Sequence, residues 1–389
     1  MDINQYGNMK IGIDCRIYSS KFTGIGRYTH ELVQNLIRIN DEKKRPHEIV
    51  LFLNEPEFHE YIPPNPSVRK VLVNARHYSF AEQIKFLRIL NNEHLDFIHF
   101  PHFNIPYFYR RPYTVTIHDL TISLFPGKGN KIWKFFQKIA YDIIIKNATV
   151  KAKKILTISE NTKKDLIEKL NVPEEKIEVI YNGVSDNFTL IEDPKIFQKT
   201  LNKYKIKKEF LLYTGVWRYH KNLPRLIEAF GILRQQKNLD IELVITGKPD
   251  PDYPETKEKV KELHLENDVI FTGLIEENEL IHLYNAANIY VFPSLYEGFG
   301  LPPLEAMKCG TPVVASNTSS IPEICGQGNA VFFDPYKVED IADKIEKVYE
   351  DADLQADLIE KGMIRASQFT WQITGQKIYD AIIHATIKD

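Results

Sequence analysis

The sequence predicts an α/β protein made of two doubly wound domains, on three observations. Short apolar runs alternate with longer amphipathic stretches almost throughout, the pattern of parallel strands covered by helices on both faces. The alternation runs as two series, separated by a polar, Lys-rich interval near residues 185–209. The chain has 389 residues, which at roughly 100–200 residues per domain suits two cores.

In the first series the strand-like runs are Lys10–Asp14, Ile49–Leu53, Val68–Val73, Phe97–Phe100, Tyr113–Ile117 and Ile155–Ile158. Helix-like stretches such as Gly26–Ile39 and Glu82–Leu90 fall between them. In the second series the runs are Phe210–Tyr213, Ile241–Thr246, Val269–Thr272, Ile289–Phe292, Val313–Ala315 and Ala330–Phe333. A last helix-like stretch, Trp371–Ile387, has no strand after it. It either caps the second domain or crosses back to the first. The division expected is 1–190, 191–370 and a tail helix within 371–389, with ligands at the carboxyl ends of the strands.

Composition narrows the function classes. With 43% apolar and 26% charged residues, the chain is neither disordered nor collagen-like. Fifty basic against 52 acidic side chains leave a net charge of −2, which argues against coating nucleic acid. The sum conceals a split: residues 1–190 carry a net +6, and residues 191–389 a net −8. Opposed halves suggest different partners. Cys15, Cys309 and Cys325 form no CxxC pair, so they read as buried small hydrophobes in a reducing compartment. The first residues show no signal-peptide core and no window reaches ~18 apolar residues. The expectation is a cytoplasmic chain able to touch a membrane at its surface.

Several motifs carry chemistry. Gly24-Ile25-Gly26 precedes a helix, but a third fingerprint glycine would fall at Thr29. The loop also starts some ten residues after the strand, so a dinucleotide turn is not expected. The two glycines can present N–H groups to an anion, and a plain loop explains them equally well. Asp250 and Asp252 have metal-pair spacing, yet they sit in a Pro-rich turn that needs no cation. His99 and His102 flank Pro101 without an evident carboxylate or cysteine partner and read as loop residues.

The densest chemistry is the run from Ser294 to Ala306, SLYEGFGLPPLEA. Glu297 and Glu305 bracket a Gly-rich loop after a strand, and Pro302-Pro303 can open a helix. Glu160/Glu168 and Glu258/Glu266 share that spacing, but they lie in charged helix-like stretches where a solvated face is the better account. A helix start suits a phosphate, and carboxylates accept hydrogen bonds from sugar hydroxyls. Upstream, Gly215 to Asn222 (GVWRYHKN) follows another strand. Arg218 and Lys221 there can clamp a diphosphate, Arg as a fork and Lys as a point charge; alone, they would be two surface cations.

These residues resemble glycosyltransferase family 4, the retaining sugar-nucleotide transferases with two Rossmann-like domains of the GT-B type facing across a cleft. The resemblance runs through TGIGRYTHEL (23–32), TIHDL (116–120), TISENTKKDL (157–166), VIYNGV (179–184), LYTGVWRYHKNLPRLIEAF (212–230), VITG (244–247), VIFTGLI (269–275) and SLYEGFGLPPLEAMKCGTPVVASN (294–317). It implies that Glu305 accepts hydrogen bonds from the nucleotide ribose and that Glu297 holds donor-sugar hydroxyls. It places Gly215 and the backbone of Gly298, Phe299, Gly300 and Leu301 against sugar and diphosphate. Arg218 and Lys221 would neutralise the leaving diphosphate, and His118 would lie near the transferred sugar. Gly24 and Gly26 would form a loop facing the donor phosphates. No metal and no cofactor are implied, the nucleotide sugar being a substrate.

The wording of the 294–317 block looks most like bacterial mannosyltransferases of surface-polysaccharide pathways. It implies GDP-mannose as donor and a glycan or lipid-linked glycan as acceptor, the first domain serving the acceptor. UDP- and dTDP-sugars remain alternatives, as do a nucleotide-sugar epimerase and a non-catalytic sugar-nucleotide-binding partner. The segment Lys128–Lys154 holds eight lysines and one acid, Asp142, among bulky apolar residues. It reads either as a helix lying on an anionic membrane at the inner face of the cell membrane, or as a core helix with a lysine-rich solvent face.

Overall fold

The computed structural model describes residues 8–18, 24–43, 46–125 and 131–387. The chain divides into two compact units. The first takes the described residues up to Ser123, those from 131 to Gly183, and the helix Trp371–Ile387; the second takes Val184–Thr370 with Leu124 and Phe125.

The first unit is built on β1 (Lys10–Asp14), β2 (Glu48–Leu53), β3 (Val68–Leu72), β4 (Phe97–Phe100), β5 (Tyr113–Ile117), β6 (Lys154–Thr157) and β7 (Ile177–Val179). They pair in parallel in the order β3-β2-β1-β4-β5-β6-β7. The second unit has β8 (Phe210–Tyr213), β9 (Glu242–Thr246), β10 (Val269–Gly273), β11 (Ile289–Phe292), β12 (Val313–Ser316) and β13 (Val331–Phe333). Their order is β10-β9-β8-β11-β12-β13, again all parallel. Both sheets share one plan. The first strand is central, the next two lie to one side, and the others follow on the other side. Strand order reverses beside β1 and beside β8, where doubly wound sheets bind their ligands.

Central strands such as Phe210-Leu211-Leu212-Tyr213 are buried at every position, because helices cover both faces and no polar alternation is required. In the second unit Trp217, Leu226, Phe230, Ile245, Ile289, Ile341 and Ile345 form one buried core. Side chains end the helices where the sequence offers them. Ser159 Oγ accepts from Thr162 N at 3.0 Å to open helix Glu160–Leu170, and Asn171, at φ 53°, closes it. Cys15, Cys309 and Cys325 are free and buried.

Three features differ from the sequence reading. β7 carries no apolar run of its own, being a three-residue edge strand with a single fully buried position. The stretch at Glu82 begins as a π-helical turn, Glu82–Phe86, and continues as α-helix Leu87–Asn92. The helix Gly24–Asp41 includes both Gly24 and Gly26, since glycines add nothing to an apolar periodicity. The helix Trp371–Ile387 packs in the first unit, where Thr374 Oγ1 donates to Tyr181 O at 2.8 Å and Trp371 meets the edge of Tyr28.

Candidate active site

In the second unit the loops after β8, β11 and β12 converge at the carboxyl end of the sheet. The loop after β11 carries Glu297 and the glycines, and hydroxyls from the loop after β12 hold its shape. Ser319 Oγ accepts from Glu297 N at 2.9 Å, and Ser320 Oγ donates to Glu297 O and Phe299 O at 3.0 and 2.8 Å. Ser316 Oγ donates to Ser294 O at 2.6 Å. The Phe299 ring points inward against Phe369, so only its backbone can serve a ligand. Gly300 sits at φ 110°, closed to other residues without strain, and caps helix Leu301–Lys308. Pro302 and Pro303 follow at once. They remove two of the N–H groups that a helix start leaves unpaired, so anion-directed donors come down to the backbone of Gly300 and Leu301.

Glu305 lies in the second turn of that helix with only 7% of its surface exposed. Its Oε2 accepts from Tyr284 Oη at 3.1 Å. From the loop after β8, Lys221 reaches Glu297: Nζ to Oε1 is 2.6 Å, with both side chains about 15% exposed. The sequence reading gave these two separate duties; the fold joins them. An ammonium has three donors, so this pairing leaves two for an anion. Arg218 is exposed and forms no ion pair among the described residues. Together with Tyr219, Asn222, Arg225 and Tyr253 it lines a cavity of about 350 Å³.

Asn222 escaped the sequence reading. Buried at φ 60°, it donates to Pro293 O at 3.1 Å and to Pro335 O at 2.8 Å, tying together the loops after β8, β11 and β13. The cue was an Asn between a short turn and an apolar helix, a position that favours the left-handed region. Gly215 packs against Gly247 so closely that a Cβ on Gly247 would stand 2.0 Å from Gly215 O. The floor beside β8 and β9 is therefore bare backbone.

In the first unit His118 follows β5. Its Nε2 lies 2.8 Å from Pro101 O; a carbonyl only accepts, so Nε2 carries the proton and Nδ1 is the acceptor. Burial lowers its pKa, opposed by the Pro101 bond and by Asp119. His99 sits inside β4 and is fully buried, with Nδ1 2.9 Å from Thr114 Oγ1. It is a core residue, not a loop residue. Gly24 and Gly26 need correcting too: both lie within helix Gly24–Asp41, not in a loop before it. A Cβ at Gly24 would meet nothing within 4 Å.

Beside β1 is a buried charge cluster. Arg16 binds Asp14 Oδ1 and Oδ2 at 2.8 and 2.7 Å and Glu82 Oε1 at 2.6 Å, with Phe86 under its guanidinium at 3.9 Å. Asn104 Nδ2 donates to both oxygens of Glu82. Burial raises the Glu82 pKa against the pull of Arg16. Asp250 and Asp252 form a turn in which Asp252 N donates to Asp250 Oδ1 at 3.0 Å. No group of three metal-ligating side chains occurs among the described residues.

Two family models match the chain: "Glycosyltransferase Family 4" over residues 22–188 and "Glycosyl transferases group 1" over residues 195–365. O-antigen chain mannosyltransferase B of Escherichia coli is 30% identical over 367 residues, covering 90% of this chain and 93% of that protein. The chain belongs to glycosyltransferase family 4. A second relative, serotype-specific mannosyltransferase WbdA of Escherichia coli, is 32% identical over 59% of this glycosyltransferase, which spans 28% of that protein. Among solved structures, sucrose-phosphate synthase from Thermosynechococcus elongatus superposes with a TM-score of 0.76 at 19% identity, covering 96% of this chain and 98% of that one. The fold is thus GT-B, with two Rossmann-like domains.

Proposed function

We propose that this glycosyltransferase moves mannose from GDP-mannose, with retention of configuration, to a glycan or lipid-linked glycan in cell-surface polysaccharide synthesis. The observation that carries the reading is the grouping of Lys221, Glu297, the Gly300 helix start and Glu305 at the carboxyl end of one sheet. Glu305 receives the ribose hydroxyls. The Gly300 and Leu301 amides, Lys221 and Arg218 take the diphosphate, and Glu297 takes sugar hydroxyls beside Lys221. Departure of the diphosphate leaves an oxocarbenium-like sugar, which the acceptor hydroxyl attacks from the same face while a phosphate oxygen takes its proton. Catalysis is then charge stabilisation and positioning, without a metal. His118 Nδ1 can accept from a hydroxyl of the transferred sugar. The names of the two Escherichia coli relatives favour mannose.

Thermal-shift measurements with GDP-, UDP- and dTDP-sugars, followed by product mass and anomer analysis, test the reading. GDP-mannose should give the largest stabilisation and an α-linked product. Stabilisation by UDP-sugars alone overturns the mannose assignment. Isomerised sugar nucleotide formed without acceptor would point to an epimerase, and no transfer across a broad acceptor panel to a non-catalytic partner.

One observation supports a lipid-linked acceptor at an anionic membrane. In helix Lys131–Lys151 the exposed face is apolar as well as basic. Phe135, Ile139, Ile143 and Val150 are 62, 40, 51 and 64% exposed, with Lys138 and Lys146 beside them. Tyr107 and Phe108 continue the patch, tied to the helix by Lys151 Nζ on Tyr107 O at 2.7 Å. Residues 128–130 and the side chains of residues 131–134, Phe136 and Gln137 lie outside the described residues. A lysine-rich solvent face over a core helix does not account for that stripe, whereas an anionic bilayer surface suits both its apolar and its basic residues. No helix among the described residues is long and apolar enough to cross a membrane. Co-sedimentation with phosphatidylglycerol vesicles should exceed that with phosphatidylcholine and should fall for Ile139→Ser/Ile143→Ser; equal binding to both vesicles removes the idea.

A further inference from the structure

We propose that Tyr284 is a positioning residue for nucleotide recognition, locking the Glu305 carboxylate in the orientation that receives the ribose diol. The inference rests on the assignment of Glu305 to the ribose made above.

Three buried hydroxyls from three elements converge behind Glu305. Tyr284, on helix Glu277–Ala286, donates to Glu305 Oε2 at 3.1 Å. Thr214, just after β8, has its Oγ1 3.0 Å from Tyr284 Oη and 3.1 Å from Tyr290 Oη, the latter on β11. Both phenols are fully buried, and all three residues are at most 5% exposed.

Each hydroxyl owns one proton, and this fixes the direction of the chain. Tyr284 spends its proton on the carboxylate and can only accept from Thr214. Thr214 then accepts from Tyr290, giving the order Tyr290 to Thr214 to Tyr284 to Glu305. Burial raises both phenol pKa values well above the ordinary, so the chain stays protonated at any working pH. Helix Leu301–Lys308 sets where the Glu305 backbone lies; the Tyr284 bond holds one carboxylate oxygen and so restricts the rotation of the group. Thr214 adjoins Gly215 and the loop bearing Arg218 and Lys221, so the ribose carboxylate and the diphosphate loop share one hydrogen-bonded support.

A vicinal diol is recognised by direction, so the measurement is discrimination rather than affinity. The readout is the Kd ratio of GDP to its 2′,3′-dideoxy form, taken by calorimetry on the full chain, with UDP and 2′,3′-dideoxy-UDP as a second pair. The wild-type protein should prefer the ribonucleotide, and Tyr284→Phe, which keeps the ring that fills the core, should shrink that preference about tenfold, the scale of one hydrogen bond to a charged group. Thr214→Val breaks the chain one step earlier and should shrink it less; it also carries the test if Tyr284→Phe fails to fold. Glu305→Gln separates the two ideas. A preference lost in Glu305→Gln but intact in folded Tyr284→Phe and Thr214→Val overturns the positioning role and leaves the ribose assignment standing. A preference intact in Glu305→Gln removes the ribose assignment itself. A structural role alone would lower the melting temperature of Tyr284→Phe and leave the ratio unchanged, which also overturns the proposal.

Discussion

The carboxyl ends of the two sheets share a strand plan but have opposite charge chemistry. Beside β1, Arg16 is buried between Asp14 and Glu82, which with the Asn104 carbonyl take four of its five N–H groups. Beside β8, Arg218 stands exposed and Lys221 shares its charge with a single carboxylate, Glu297. The same topological position thus holds a closed ion cluster in one unit and open cationic donors in the other. Burial explains the difference. A guanidinium out of water must be closely paired, whereas an ammonium with one carboxylate partner keeps donors for a guest. It also overrides the charge totals, because the acidic half of the chain holds the cationic site.

Removing a cation from each sheet end should separate the two roles. Arg16→Ala leaves Asp14 and Glu82 buried without their partner and should cost about 3–5 kcal/mol of stability, read as a melting temperature lower by roughly 6–20 °C. A wild-type melting temperature would show that the cluster is not under strain without its arginine. Lys221→Ala should instead keep the fold and reduce kcat by about 10²–10³, with Arg218→Ala toward the lower end. Steady-state kinetics on folded protein decide this, and near wild-type turnover withdraws both residues from the diphosphate.

Acid should distinguish the units next. Burial holds His77 and His220 at about 4 and His99 at about 3, and it lowers His30, His47, His102 and His118 as well. Of these, only His220 belongs to the second unit. These imidazoles are neutral when folded and gain protons on unfolding below about 6.5. Their stabilisation is therefore complete above that pH and fades as pH falls below it, for His77, His99 and His220 by up to about 1.4 kcal/mol per pH unit each down to about 4. Hydrogen exchange between pH 7 and 5 should show the first unit loosening before the second; equal loosening contradicts the histidine account. The smallest effect belongs to the exposed stripe. Ile139→Ser should change stability by no more than about 0.5 kcal/mol, a shift checked by urea denaturation.

Much of the fold was legible because periodicity is local. Twelve of the strands were marked by short apolar runs; β7 was missed because an edge strand of three residues leaves too little pattern. Glu297, Glu305, Arg218 and Lys221 stood out as unusual residue types in Gly- or strand-bounded contexts. Asn222, Ser319 and Ser320 did not, since nothing in a lone Asn or Ser says which distant carbonyl it will meet. Gly24 and Gly26 read as loop residues although they are helical, because glycine adds nothing to an apolar period.

The sequence by itself determined two parallel sheets, the strand ends where chemistry collects, and the family to which those motifs belong. Only the tertiary structure decided which groups meet. Lys221 pairs with Glu297 across 76 positions, Arg16 is consumed by Glu82 across 66, and Tyr284 supports Glu305 from a neighbouring helix. Apolar spacing is written within a few residues and can be read from them. The partner of a charged or hydroxyl group depends on which loops the completed sheet brings side by side, and on how little water is left between them.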